Sequence, residues 1–252
     1  MSKALVRRSA RSQGSGALVT DEPLASVVYV DKCKRYGIPV NASVLVNLRW
    51  QRAAFTVAAL PIFTDIDLVP LGDTILELGA EAMAYITSLD FSYCSLSSPS
   101  AEVLSRCLPF LQRLEQLNIN NQRISSEGAA CLASVLASPP VPAGLHTVRM
   151  KRCGIMHEGT IALAAAALSP SFPVRHLDLS LNSIGDEGTM ILQQIMRQKK
   201  RLAIDMSLNG DLAEVLNAVS HGVGAVLSFC GSFVMWTKAE NLTSCGAVMA
   251  SL

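Results

Sequence analysis

The sequence predicts an α/β solenoid, with short parallel strands lining the inside of a stack of coils and helices lining its outside. Three observations carry that fold class: an eleven-residue pattern that recurs through the middle of the chain, a Glu-Gly pair in step with it, and Pro-rich stops that close the units. ITSLDFSYCSL, LEQLNINNQRI, LHTVRMKRCGI and VRHLDLSLNSI begin at Ile86, Leu114, Leu145 and Val174, and each has apolar residues at places one, four, six and eleven. A partial copy, RLAIDMSLN from Arg201, puts Ile204, Met206 and Asn209 at places four, six and nine. A fixed period of this length marks stacked units that cannot bury their own apolar face but can bury a neighbour's.

Within each unit the elements follow from local spacing. Places four and six alternate to one side, as a strand requires. The ninth place holds Cys94, Gln122, Cys153, Asn182 and Asn209, side chains that can bond the backbone where the chain turns away. Glu127-Gly128, Glu158-Gly159 and Glu187-Gly188 then open a helix, with the acid at the positive end of its dipole. Leu132, Leu163 and Leu192 follow four residues after each Gly and give one apolar helical face; Leu104 takes that place in the first copy, where Ser100 replaces the Gly. SPPVPAG (138–144) and SPSFP (169–173) end two of the helices. Phe63 to Ala84 reads as a shortened earlier copy with Ile66 and Leu68 pointing inward. Upstream, a turn at Gly37 to Asn41 separates two helix-like runs, a helical N-terminal cap.

The pattern L-x-x-L-x-L-x-x-N/C-x-L resembles the leucine-rich repeat, and the unit length resembles its ribonuclease-inhibitor-like subtype. Residues 63–210 are expected to form the repeats, 23–62 the helical cap, 1–22 a disordered basic tail and 211–252 a separate apolar segment.

Composition narrows the function. Net charge is +1, so no global field selects nucleic acid, and recognition rests on local patches. Seven cysteines without a C-x-x-C pair fit free thiols in a reducing compartment. No P-loop, dinucleotide fingerprint, H-E-x-x-H or G-x-S-x-G is present, so the expectation is a binding protein, with no catalytic residue, metal site or cofactor assigned. The concave face takes the fifth, seventh and eighth places, and its candidate partner-binding residues are Asp90, Tyr93, Asn118, Asn120, Arg149, Lys151, Arg152, Asp178 and Asp205. A basic triplet between acidic neighbours fits a protein partner of mixed charge better than a nucleic-acid backbone, which wants a continuous basic stripe.

The last segment reads differently. Leu216 to Trp236 is 21 residues long, has Asn217, Ser220 and His221 as its most polar members, and is long enough to cross a hydrocarbon core. Arg197, Lys199, Lys200 and Arg201 precede it, which predicts membrane attachment with the repeats facing the cytosol. Glu214, Asn217 and His221 have the spacing E-x-x-N-x-x-x-H and, with GVGAVLSFCG, resemble the first transmembrane helix of the haemolysin III and progestin/adipoQ receptor family. That resemblance implies the truncated start of a membrane bundle, whose zinc-binding histidines have no counterpart in this sequence. One alternative is a soluble cytoplasmic repeat scaffold or inhibitor-like binder whose apolar end caps the solenoid; a second, implied by the resemblance, is the N-terminal fragment of a zinc-dependent receptor or hydrolase of that family.

Overall fold

The computed structural model describes residues 22–57 and 59–209. Helices α1 (Leu24–Tyr36) and α2 (Ala42–Arg49) come first, followed by strand β1 (Ala54–Thr56) and helix α3 (Asp65–Ala82). Four further coils follow: β2 (Ser88–Asp90) with α4 (Ser98–Cys107) and a short 3₁₀ turn, β3 (Gln116–Asn118) with α5 (Ser125–Leu136), β4 (Thr147–Arg149) with α6 (His157–Leu168), and β5 (His176–Asp178) with α7 (Gly185–Gln198). Strand β6 (Ala203–Asp205) begins another. The six strands form one parallel sheet in the order β1-β2-β3-β4-β5-β6.

Each strand buries its central residue, in turn Phe55, Leu89, Leu117, Val148, Leu177 and Ile204. Two residues on, Val57, Phe91, Ile119, Met150 and Leu179 are buried too, so the period of two aims one face of the sheet at the helices. Every strand rises in register with the next, which lines Thr56, Asp90, Asn118, Arg149, Asp178 and Asp205 up as a single row on the other face.

The ninth place joins the coils. Asn182 accepts hydrogen bonds at Oδ1 from the amides of Cys153 (2.8 Å) and Ile155 (3.1 Å), and its Nδ2 donates to the carbonyls of Met150 (2.8 Å) and Leu179 (2.9 Å). Gln122 does the same two coils earlier, accepting from the Leu96 amide and donating to the Phe91 carbonyl. Cys94 and Cys153 donate their thiols to the carbonyls of Val57 and Ile119. Burial pushes those thiols up to about 11 and about 12, so both remain protonated donors at neutral pH.

The Glu-Gly pairs have a steric reason beyond the dipole. A methyl group on Gly128 would lie 2.9 Å from the Ala101 methyl, and one on Gly159 2.8 Å from the Cα of Ser126, so a bare backbone lets consecutive helices approach. At the same place in the first copy Ser100 is fully buried and instead donates its hydroxyl to Asp65 on α3.

The stretch Phe63 to Ala84 corrects the sequence reading. It is not a strand-bearing copy: Thr64 and Asp67 form a capping box that starts α3, and Ile66, expected inward, is 64% exposed while Leu68 is buried. The alternation in FTDIDL mimics a strand, but the reciprocal Thr64–Asp67 bonds commit it to a helix start. The strand of that coil lies earlier, at Ala54–Thr56, and the coil has one extra residue between strand and helix, so Phe63 takes the eleventh-place role. Its ring stacks on Phe91 with centroids 5.9 Å apart.

The expected apolar C-terminal helix, with Glu214, Asn217, His221 and the span 216–236, lies outside the described residues. Among those described, no helix is long and apolar enough to cross a membrane.

Candidate partner-binding face

The face of the sheet opposite the helices is open, and its chemistry follows the repeat. In β2, β3, β5 and β6 the fifth-place side chain accepts the backbone amide two residues on: Asp90 from Ser92 (2.9 Å), Asn118 from Asn120 (3.2 Å), Asp178 from Ser180 (3.0 Å) and Asp205 from Ser207 (2.9 Å). These are Asx-type turns that release the chain from the strand. In β2, β5 and β6 the turn falls on the spacing D-x-S, which by itself does not distinguish a turn acceptor from a free carboxylate. Hydrogen bonds from the Ser207 amide and hydroxyl hold the Asp205 carboxyl below its usual range, with a smaller contribution from the charge of Lys151.

Coil four breaks this rule. Arg149 stands where the other coils place Asp or Asn, and the amide of Lys151 is instead taken by Oδ1 of Asn120 from the coil before, at 2.8 Å. The turn is preserved by a neighbour, which leaves the fifth place free for a cation. Among the described residues no carboxylate lies within ion-pair distance of Arg149, Lys151 or Arg152. Their charges are presented to solvent.

The eighth place is a rim. Ala59, Tyr93, Asn121, Arg152, Leu181 and Leu208 all have φ between 53° and 61°, the left-handed region. Side chains rarely adopt this conformation outside Gly, Asn and Asp. The coil imposes it regardless of residue type, and it leaves Tyr93 60%, Leu181 37% and Leu208 65% exposed.

The structure therefore gathers Asp90, Asn118, Arg149, Asp178 and Asp205 in one row, sets Tyr93 and Arg152 on the rim, and places Asn120 and Lys151 between row and rim, half-buried. It also adds a second row that sequence reasoning missed, the third-place residues Ser88, Gln116, Thr147, His176 and Ala203. The signal was their position two residues before each fifth place, on the same side of the strand. Between the two rows a shallow groove of about 330 Å³ is lined by Thr147, Arg149, His176, Asp178, Ala203 and Asp205. His146 is bonded to Thr147 through Nδ1 at 2.9 Å. No group of three or more His, Cys, Asp or Glu among the described residues could hold a metal ion.

Sequence comparison with known proteins matches the same repeat. The leucine-rich repeat family matches residues 171–190. The chain is 31% identical over 139 residues to ribonuclease inhibitor of Sus scrofa, a stretch covering 53% of this chain and 30% of that protein. It is 29% identical over 114 residues to NACHT, LRR and PYD domains-containing protein 13 of Homo sapiens, covering 45% and 11%. Among solved structures it resembles leiomodin-1 actin-binding site 2, with a TM-score of 0.46, 13% identity, and coverage of 69% of this chain and 94% of that one. The chain thus spans less than a third of the curated relatives it matches. These comparisons give no support to the haemolysin III-like resemblance of residues 212–252 or to the membrane attachment expected from it.

Proposed function

We propose that this chain, a leucine-rich repeat protein similar to ribonuclease inhibitor and to the NACHT, LRR and PYD domain proteins, is a scaffold that binds a protein partner through its open sheet face. The observation that carries this is the exception at coil four. Every other fifth-place side chain from β2 onward is engaged in its own turn, whereas Arg149 is released from that duty and stands with Lys151 and Arg152 as an unneutralised basic patch in the middle of a mixed-charge row. Such a patch steers and orients an acidic partner surface, with arginine suited to a bidentate grip on a carboxylate.

Membrane attachment is not part of this reading. The test is affinity capture from cell extract with the wild-type chain, R149E/K151E/R152E, and the outer-face variant M190K. The triple reversal is expected to lose the wild-type set of captured proteins at least tenfold by quantitative mass spectrometry, while M190K keeps it. Equal capture by all three removes the open face from the account. The name of the porcine relative describes an inhibitor, and inhibitor-like binding is one form this function would take; a ribonuclease assay titrated with the purified chain decides it.

A further inference from the structure

The open face holds more negative charge in its last two coils than the fold requires. Asn118 makes the turn bond with an amide oxygen, so the same bond at Asp178 and Asp205 has no need of a carboxylate. These two acids stand in register on adjacent parallel strands, a spacing of about 4.8 Å at which facing like charges destabilise a sheet. Asp178 takes both its turn bonds on Oδ1 and leaves Oδ2 without a partner among the described residues, and Asp205, bonded only from Ser207, has no ion-pair partner there. Three residues after each acid, Leu181 and Leu208 are held outward on the rim by their left-handed backbone. The next strand over offers Arg149, in register with Asp178 and not ion-paired to it. Across three strands the face therefore reads cation, anion, anion, with an apolar pair on the rim side of the anions and the groove on their other side.

We propose that this end of the face is a subsite for one long basic side chain of the protein partner, an arginine or lysine, with its cationic head between Asp178 and Asp205 and its methylene stem against Leu181 and Leu208. The inference rests on the open-face reading above and sharpens it. A cation between the two carboxylates removes the repulsion that the empty face carries, and long basic side chains cover apolar surface with their stems while keeping the head polar. Arginine fits best, because its planar fork can meet one oxygen of each acid. The basic patch then takes an acid of the same partner. One to two strand spacings separate the two, so the partner's binding segment carries an acidic and a basic side chain about 5–10 Å apart. A divalent cation is a poorer occupant, since calcium seeks six to eight oxygens and two carboxylates already bonded in their turns fall far short.

The probe is a random peptide library displayed on phage, selected separately on the purified wild-type chain, on D178N/D205N and on R149E/K151E/R152E, with the selected pools sequenced. Asparagine keeps the Oδ1 acceptor of each turn, so the double variant is expected to match wild type in thermal unfolding to within a few degrees. The wild-type pool is expected to be enriched in peptides carrying a basic and an acidic residue together. D178N/D205N is expected to lose the basic enrichment at least fivefold and keep the acidic one, and L208S to weaken the basic enrichment in the same direction. Basic enrichment unchanged in D178N/D205N, or absent from the wild-type pool, overturns the subsite. If that double variant selects as wild type does while the triple reversal changes the pool, only the subsite falls. If all the proteins select the same peptides, the open-face reading falls with it.

Discussion

Asn209 accepts a hydrogen bond at Oδ1 from the backbone amide of Asn182, 2.9 Å away, and returns one from Nδ2 to the carbonyl of Leu179 at 2.8 Å. Asn182 stands in the same relation to the coil before it, so two buried amides tie three successive coils by side chain to backbone bonds. In a stack where each unit touches only its neighbours, such bonds are part of the interface terms that hold the array together.

Replacing Asn182 with Ala should therefore be among the most damaging single changes. It strips partners from the amides of Cys153 and Ile155 and from the carbonyl of Met150, while the Leu179 carbonyl keeps its bond from Asn209. Each buried group left unpaired costs about 1–3 kcal/mol, so a loss of at least about 3 kcal/mol is expected. Urea unfolding followed by circular dichroism measures it; a loss below about 1 kcal/mol would show that water replaces the ladder.

Glycine at the head of the helices gives a graded prediction. The methyl of Gly159→Ala meets the Cα of Ser126 at 2.8 Å and the Ile155 side chain at 2.9 Å, whereas the nearest atom to that of Gly188→Ala is a Thr160 methyl at 3.1 Å. Overpacking at the first site should cost roughly 1–3 kcal/mol and at the second clearly less. The two midpoints in one denaturant series give the order, and a reversed order would contradict helix approach as the reason for these glycines.

Acid should loosen the junction between α3 and α4. Burial alone would raise the Asp65 carboxyl, but hydrogen bonds from Ser100 and Ser97 outweigh it and hold the group below its usual range. A carboxyl depressed in the folded state contributes stability that is fully present above its unfolded value, about 3.9, and is lost as pH falls through the lower folded value. Asp65→Asn should flatten the acid side of the stability profile below about pH 4, read as thermal midpoints across a pH series. An acid limb as steep as wild type would assign the dependence to other carboxylates.

Thiol reactivity should separate by burial. Cys94, Cys107 and Cys153 are buried and pushed up to about 11, about 12 and about 12, while Cys131 on α5 is half-exposed. Alkylation at pH 8, followed by peptide mass spectrometry in the native state, should modify Cys131 well before those three. Equal rates would mean that the coils open on the labelling timescale.

The repeat was legible because its evidence is periodic and redundant. Leu89, Leu117, Val148 and Leu177 recur at one place in four copies, so a mismatch such as Gln122 for Asn hardly weakens the pattern. The first coil was misplaced for the converse reason. Its strand is three residues, AFT, its ninth place is Leu60 in place of an amide or thiol, and one extra residue shifts Phe63, so nothing in the local sequence outweighed the alternation that follows. The fifth-place row was found from spacing alone. Its double duty was not, because whether Asp178 faces a partner or its own turn depends on a hydrogen bond to Ser180 that spacing does not reveal.

By itself the sequence determined the period, the strand–helix unit and the residues that fill the core, since burial of a one-sided apolar pattern admits few other arrangements. Only the tertiary structure decided which polar residues are spent on turns and which remain available, because that depends on the neighbouring coil. The amide of Lys151 is satisfied by Asn120 across the sheet, 31 residues earlier in the chain, and this long-range bond is what frees the place where Arg149 stands.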